Sequence, residues 1–315
     1  MAAFLGIDTS NYTTSASLYL SDRGIVQKKR LLPVRHGECG LRQSDAVFHH
    51  TKQLPEIISE LMSEYRGQID AIGVSDRPRD AEGSYMPCFL VGAGTASSLS
   101  SVLNVLLYTF SHQSGHIAAA VYSAGCPGLL RQPFLAFHVS GGTTEAVLVT
   151  PDAEKIFKTE IVAKTLDLNA GQLIDRVGVM MGLSFPCGKE LEALAARCEI
   201  YPKTKATLKG ADCCLSGIEN VCRKAFETGA SKEETALLCL SYVEATLSGM
   251  CQKLLSQFGD LPIVFAGGVM SDRIIRERLQ KRFSAFFAEP AFSADNAAGI
   301  AYLCRQKHLQ SKQFL

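Results

Sequence analysis

A repeat offset by 130 residues narrows the folds open to this chain. Phe4, Leu5, Ser10, Thr13, Thr14, Ala16 and Leu18 recur as Phe134, Leu135, Ser140, Thr143, Thr144, Ala146 and Leu148. Both windows carry the same pattern: a short apolar run, a Ser/Thr-rich turn, and a second apolar run. That pattern reads as strand, turn, strand. Its recurrence points to an internal duplication and two equivalent lobes of mixed sheet and helix.

The rest of the chain follows the same plan. A third β-like run follows each hairpin, at 24–32 and 155–163. Helical spacing is expected over 44–64, 170–182, 189–197, 234–258, 272–283 and 296–309, with the 234–258 segment read as a long amphipathic helix. Buried strands are expected at 69–74 and 263–265. Gly, Pro and polar residues cluster at 125–132. We therefore expect lobe I over 1–131, closed by a C-terminal helix at 296–315, and lobe II over 132–295. Two α/β lobes that each open with such a turn imply a central cleft with a phosphate on its floor. This is the plan of the sugar kinase, actin and heat-shock ATPase (ribonuclease H-like) group.

Composition sets outer bounds. Of 315 residues, 47% are hydrophobic and 20% charged, enough for a substantial core. Lys+Arg (32) and Asp+Glu (31) nearly cancel, so no global field favours nucleic acid. A charge at Asp8 comes too early for a signal peptide, and the apolar stretch near 89–107 is cut by Gly92, Gly94 and serines. The eleven cysteines are scattered, with no C-x-x-C. These features lead us to expect free thiols, a cytoplasmic location and no membrane partner.

Several residues can carry chemistry. The turn Ser140-Gly141-Gly142-Thr143 lets backbone approach a ligand closely, or is an ordinary hairpin turn. Gly267-Gly268 lies between a strand and a helix, suited to a nucleotide or to tight packing. His112 and His116 stand four apart, on one face of a helix if helical; they share a metal or simply begin the helix. No Glu lies between them as a protease base. Asp295 is a helix N-cap or a third metal ligand. Asp175 accepts a ribose hydroxyl, or pairs with Arg176 or a nearby turn. Asp167 and Glu192 flank the same helical region.

Together these motifs resemble the TsaD/Gcp family, once called O-sialoglycoprotein endopeptidases and grouped with the M22 peptidases. The resemblance runs nearly end to end. It is carried by Gly6-Ile7-Asp8-Thr9-Ser10, by His36–His50 in altered form, and by His112–His116. Further matches are His138–Thr144, 169–188, 213–219, Ala266–Asp272 and 293–301. The resemblance implies one divalent metal, iron or zinc, held by His112, His116 and Asp295. It implies an adenine nucleotide or acyl-adenylate against Val139, Ser140, Gly141, Gly142 and Thr143, with Asp175, Gly188, Glu192, Gly267, Gly268 and Asp272 around it. Asp8 and Ser140 would lie at the chemistry. The implied reaction moves threonylcarbamoyl from its adenylate to the adenosine beside the tRNA anticodon. Implied partners are tRNA, TsaB/TsaE-like proteins, or a second subunit, like or unlike.

Departures from the family pattern are local. Asn11-Tyr12-Thr13 replace Cys and acidic residues, Thr143 replaces a His, and Asp272 replaces an Asn. Asp76-Arg77-Pro78-Arg79 replace Gly-Pro-Gly, and an extra stretch 80–88 follows. A carboxylate at 272 repels phosphate or needs a cation. These changes define a divergent paralogue. Its alternatives are a non-catalytic partner subunit, a metallopeptidase, or an ATPase or kinase of the same fold.

Overall fold

The computed structural model describes residues 2–10, 12–33, 41–293 and 297–313. The first hairpin is β1 (Ala3–Ser10) and β2 (Thr13–Leu20), followed by β3 (Gly24–Leu31), α1 (Gln43–Ser63) and β4 (Ala71–Arg77). Then come α2 (Phe89–Leu103), β5 (Leu106–Ser111) and α3 (His112–Ser123). The second hairpin is β6 (Phe134–Val139) and β7 (Thr144–Asp152), followed by β8 (Ile156–Lys164), α4 (Ala170–Met180) and α5 (Gly188–Ala195). A two-residue ladder, β9 (Leu208–Lys209) with β10 (Asp212–Cys213), precedes α6 (Ser216–Glu227) and α7 (Lys232–Phe258). The chain ends with β11 (Ile263–Ala266), α8 (Arg273–Gln280), β12 (Ala285–Phe287) and α9 (Ala298–Gln313).

Two five-stranded sheets repeat one topology. Their orders are β3-β2-β1-β4-β5 and β8-β7-β6-β11-β12. In both, an antiparallel hairpin is extended by parallel strands. Phe4 pairs with Tyr19, and Phe134 with Val149, at the 130-residue offset. The repeat is thus visible as architecture.

The chain divides into two compact units. The first holds Met1–Pro127, Pro151–Lys158 and Ala291–Leu315; the second holds Gly128–Thr150 and Thr159–Pro290. In the first, Leu5, Ile7, Leu18 and Ile72 pack with Leu54, Ile57 and Leu61 of α1. In the second, Leu135, Phe137 and Phe265 pack with α4 and α7. No described helix is long and apolar enough to cross a membrane.

One element differs from expectation. The 234–258 helix is not one-faced: Ala236, Leu237, Leu240, Val243, Leu247 and Met250 are buried together with Thr235, Ser241, Glu244, Thr246 and Ser248. Two of the small polar residues are bonded within the helix, the Thr246 hydroxyl donating to the Tyr242 carbonyl at 2.8 Å and the Ser248 hydroxyl to Glu244 at 2.7 Å, whereas the Thr235 and Ser241 hydroxyls are buried without a hydrogen-bond partner. Glu244 also takes Arg282 at 3.2 Å, which compensates its burial. The 89–111 stretch, for which the sequence named no element, forms α2 and β5. Its Gly and Ser residues break the apolar period that would mark a helix.

Helix α9 seats on the first unit through glycines. A Cβ on Gly6 would lie 2.4 Å from the Ala301 nitrogen, and one on Gly299 would lie 1.8 Å from the Gly115 carbonyl oxygen. Backbone meets backbone at both places, so no side chain can swing away. Gly299→Ala is expected to cost about 1–3 kcal/mol by overpacking. Gly94→Ala, on open space in α2, should be neutral or stabilising by about 1 kcal/mol. Urea unfolding of both variants checks the pair; equal effects would contradict this packing.

Candidate functional site

The first unit builds its site on the end of β1. In Gly6-Ile7-Asp8-Thr9-Ser10 the side chains of Asp8 and Thr9 tie β1 to other elements. The Thr9 hydroxyl donates to the Cys88 carbonyl at 2.9 Å and accepts the Gly92 N–H at 3.2 Å, anchoring the start of α2. Asp8 is 1% exposed. Its Oδ1 accepts the Ser10 N–H at 2.9 Å, and its Oδ2 accepts the Ser75 hydroxyl at 2.7 Å. The same Oδ2 lies 2.7 Å from His112 Nδ1. A buried carboxylate in this position accepts the Nδ1 proton and so turns the Nε2 lone pair outward.

His112 and His116 do share a helix face, at the start of α3. Their Nε2 atoms lie 2.9 Å apart, with the rings at 76°. Two imidazole nitrogens facing each other, one with its tautomer set by Asp8, suit a divalent ion of the zinc or iron type. Among the described residues no group of three or more His, Cys, Asp or Glu completes a metal set. Asp295, expected as the third ligand, lies outside the described residues, as does Asn11.

The stretch after β4, which replaces the family's Gly-Pro-Gly, is stapled to α3. Asp80 Oδ1 accepts Arg77 Nε at 3.1 Å, and its Oδ2 accepts the Ser114 hydroxyl at 3.0 Å. The Pro78 carbonyl accepts the Gln113 N–H at 3.0 Å. Ser111 caps α3 by accepting the Ser114 N–H at 3.1 Å. Arg77, three residues back, is a short-range partner of Asp80, whereas its partners at 111 and 114 are distant in sequence. Of the His36–His50 region, 36–40 lies outside the described residues. His50 is a buried core histidine, bonded through Nδ1 to Thr14 Oγ1 at 2.8 Å. Burial pushes its pKa down to about 4, keeping it neutral.

The second unit gathers the expected nucleotide residues around β6, α4, α5 and α8. The turn after Val139 is self-bonded. Ser140 N–H donates to the Thr143 carbonyl at 2.7 Å, and Ser140 Oγ accepts the Gly142 and Thr143 N–H groups at 3.3 and 3.1 Å. Gly141 and Gly142 open onto space, since a Cβ on either meets no atom within 4 Å. The two later glycines divide their tasks. Gly267, at φ +101°, packs where a Cβ would lie 2.2 Å from the Val139 carbonyl oxygen, whereas Gly268 is open. Gly188 is open as well.

Three carboxylates are fixed by backbone N–H groups. Asp175 Oδ1 accepts the Cys187 N–H at 2.8 Å. Arg176 turns away to Glu219 at 3.1 Å. Glu192 Oε1 accepts the Arg273 N–H at 3.0 Å, and Asp272 Oδ1 caps α8 by accepting the Ile275 N–H at 2.9 Å. Asp167 organises a neighbouring loop by accepting the Leu215 N–H at 2.7 Å and the Ser216 hydroxyl at 2.6 Å. Burial works to raise the Asp167 pKa, but these donors outweigh it and hold the group below the usual carboxylate range. An open groove of about 590 Å³ adjoins Asp175, lined by Gln172, Arg176, Met180, Phe185 and Arg223.

A sequence model of the TsaD family, described as tRNA N6-adenosine threonylcarbamoyltransferase, matches residues 36–302. The chain belongs to the TsaD family. Solved structures agree on the fold. Full-length HypF, in a phosphate- and nucleotide-bound form, is 14% identical with a TM-score of 0.59, over 98% of this chain and 55% of HypF. This chain thus spans about half the length of HypF. Component A of the (R)-2-hydroxyglutaryl-CoA dehydratase of Acidaminococcus fermentans is 15% identical with a TM-score of 0.55, over 98% of this chain and 100% of that one. A ROK family glucokinase from Streptomyces griseus, in complex with glucose and AMPPNP, is 10% identical with a TM-score of 0.53, over 97% of this chain and 100% of that one. The fold is that of the sugar kinase, actin and heat-shock ATPase group.

Two substitutions test these bonds. Asp8→Asn turns one of the acceptors facing Ser10, Ser75 and His112 into a donor. Zinc or iron affinity, read by chelator competition, should fall about 10- to 100-fold; unchanged affinity would contradict the positioning role of Asp8. The second concerns Asp272, where burial, with Glu192 adding to it, raises the pKa from 3.8 to about 6. The folded chain therefore binds this proton more tightly than the unfolded chain. Stability from this group is present below its unfolded pKa and lost as pH rises to about 6. Asp272→Asn, which keeps a capping oxygen, should remove that loss. Urea unfolding across this range checks it; parallel curves would contradict it.

Proposed function

We propose that this protein is a metal- and nucleotide-binding transferase that moves threonylcarbamoyl from its adenylate to the exocyclic amine of an adenosine in tRNA. The observation that carries the reading is the His112–His116 pair, converging at 2.9 Å and oriented by buried Asp8. Asp8 bonds Ser10 and Ser75 for the fold, and the same carboxylate orients the imidazole that faces His116. Family membership supplies the reaction class.

The residues divide the work. His112 and His116 hold a divalent ion, with Asp295 as the expected third ligand, and Asp8 positions His112. A bound ion of this kind supplies Lewis-acid polarisation and a template for the threonyl group. The open glycines Gly141, Gly142, Gly268 and Gly188 give a nucleotide close backbone approach. Val139, Ser140 and Thr143 hold the turn in shape, and Gly267 seats it on β11. Asp175 and Glu192 each commit one oxygen to a backbone N–H, leaving the other to accept a ribose hydroxyl. Asp272 caps α8 through Oδ1, and its carboxyl needs a nearby cation where a phosphate approaches. In the transfer, the amine nitrogen bonds the carbamoyl carbon, the bond from that carbon to the phosphate oxygen breaks, AMP leaves, and the amine loses a proton.

Partner proteins are part of the reading. Leu90, Val102 and Leu103 of α2 and Leu106 beyond it are exposed apolar residues, Val102 at 83%. Exposed apolar residues at both ends of α2 and at the start of β5 support docking of a family partner of the TsaB kind.

The test is the transfer itself. Metal-loaded protein, tRNA, threonylcarbamoyl-adenylate and a TsaB-like partner are expected to give modified adenosine and AMP. His112→Ala is expected to lose at least about 100-fold in rate, the scale of a removed transition-state stabiliser. No transfer by metal-loaded wild type, with partner binding intact, would instead make this chain a non-catalytic subunit.

A further inference from the structure

Positive charge in the second unit is concentrated on one surface. Residues Tyr201–Gly210 contain Lys203, Lys205 and Lys209 and no carboxylate. Exposure alternates along them: Tyr201, Lys203, Lys205, Thr207 and Lys209 are exposed, and the residues between are half-buried. The half-buried set rests on α7. The Thr204 hydroxyl donates to the Ser241 carbonyl at 3.0 Å, and a Cβ on Gly249 would lie 3.2 Å from Ala206 and 3.0 Å from Leu208. The alternation is that of extended chain, so the lysines form one outward row at a step of about 7 Å per two residues.

Helix α8 continues the surface. Arg273, Arg276, Arg278, Lys281 and Arg282 stand against Glu277 alone. The Arg278 guanidinium lies 4.3 Å from the Tyr201 ring centroid, which joins the two segments. Buried Glu244 accepts Arg282 at 3.2 Å and faces Arg278 at 3.6 Å, fixing both guanidinium groups. Among the described residues no carboxylate forms an ion pair with Lys203, Lys205, Lys209, Arg273, Arg276 or Lys281. The whole chain carries a formal charge of only +1, so this concentration is local.

We propose that the Tyr201–Lys209 row and α8 together dock the sugar–phosphate backbone of an RNA. A row of three ammonium groups without ion-pair partners, with Thr207 standing between Lys205 and Lys209, lies beside an exposed aromatic ring and suits a polyanion with flat bases. The surface also starts at the candidate nucleotide residues, because the Arg273 N–H that opens α8 is bonded to Glu192. That the polyanion is RNA rests on the transferase reading; the charge surface does not.

The test is anisotropy of a labelled full-length tRNA transcript across a salt series. It compares wild type, Lys203→Gln/Lys205→Gln/Lys209→Gln, and a control carrying Lys52→Gln/Lys155→Gln/Lys224→Gln, with folding of each checked by thermal melting. The row variant should raise Kd roughly tenfold or more and reduce the slope of log affinity against log salt by about three, one per phosphate contact. The control should leave both unchanged. Equal Kd and slope in wild type and row variant would overturn the surface, as would no tRNA binding by wild type. So would loss of binding to phosphatidylserine vesicles alone. AMP binding, measured on the same preparations, separates the two failures: its loss with RNA binding intact strikes the transferase reading and leaves the surface standing.

Discussion

The first unit turns on one buried carboxylate. Asp8 stands at the end of β1 with both oxygens used, drawing together the strand's own Ser10, Ser75 of β4 and His112 of α3. An ionised group at 1% exposure is costly unless it is fully bonded. Its bonds therefore dictate where β4 and α3 begin and end relative to β1. The same arrangement fixes the imidazole ring that faces His116. Fold and candidate chemistry share an interaction, so disturbing one disturbs the other.

The second unit solves a different problem, which is to keep backbone accessible while holding it still. Ser140 ties its own turn shut with its hydroxyl, and Gly267 presses that turn against β11. Gly141, Gly142 and Gly268 remain open. Asp175, Glu192 and Asp272 anchor the starts of neighbouring segments through Cys187, Arg273 and Ile275. Asp272 caps α8 through a carboxyl whose burial raises its pKa to about 6.

Much of this was legible in the sequence because it is periodic or local. The hairpins show as alternating runs around Ser/Thr turns, and the repeat shows as identities at one offset. The His112–His116 spacing implied a shared helix face, and α3 provides it. What was not legible depends on distant partners. Nothing near Asp80 announces Ser111 or Ser114, and nothing near Glu192 announces the Arg273 N–H. Helix α7 hid its burial because Thr, Ser and Cys fill a core without making an apolar stripe. The α2–β5 stretch hid its shape because Gly92, which packs against Thr9, and the open Gly94 interrupt its apolar run. The basic row at 203–209 reads as ordinary solvated lysines until the exposure pattern aligns them.

The central claim is that His112 and His116 are ligands of one divalent ion. X-ray absorption spectroscopy of the zinc- or iron-loaded full chain tests it most directly. The account predicts scattering from two imidazoles in the wild type, and loss of one in His116→Ala. A spectrum with no imidazole scattering, or one that His116→Ala leaves unchanged, would contradict it.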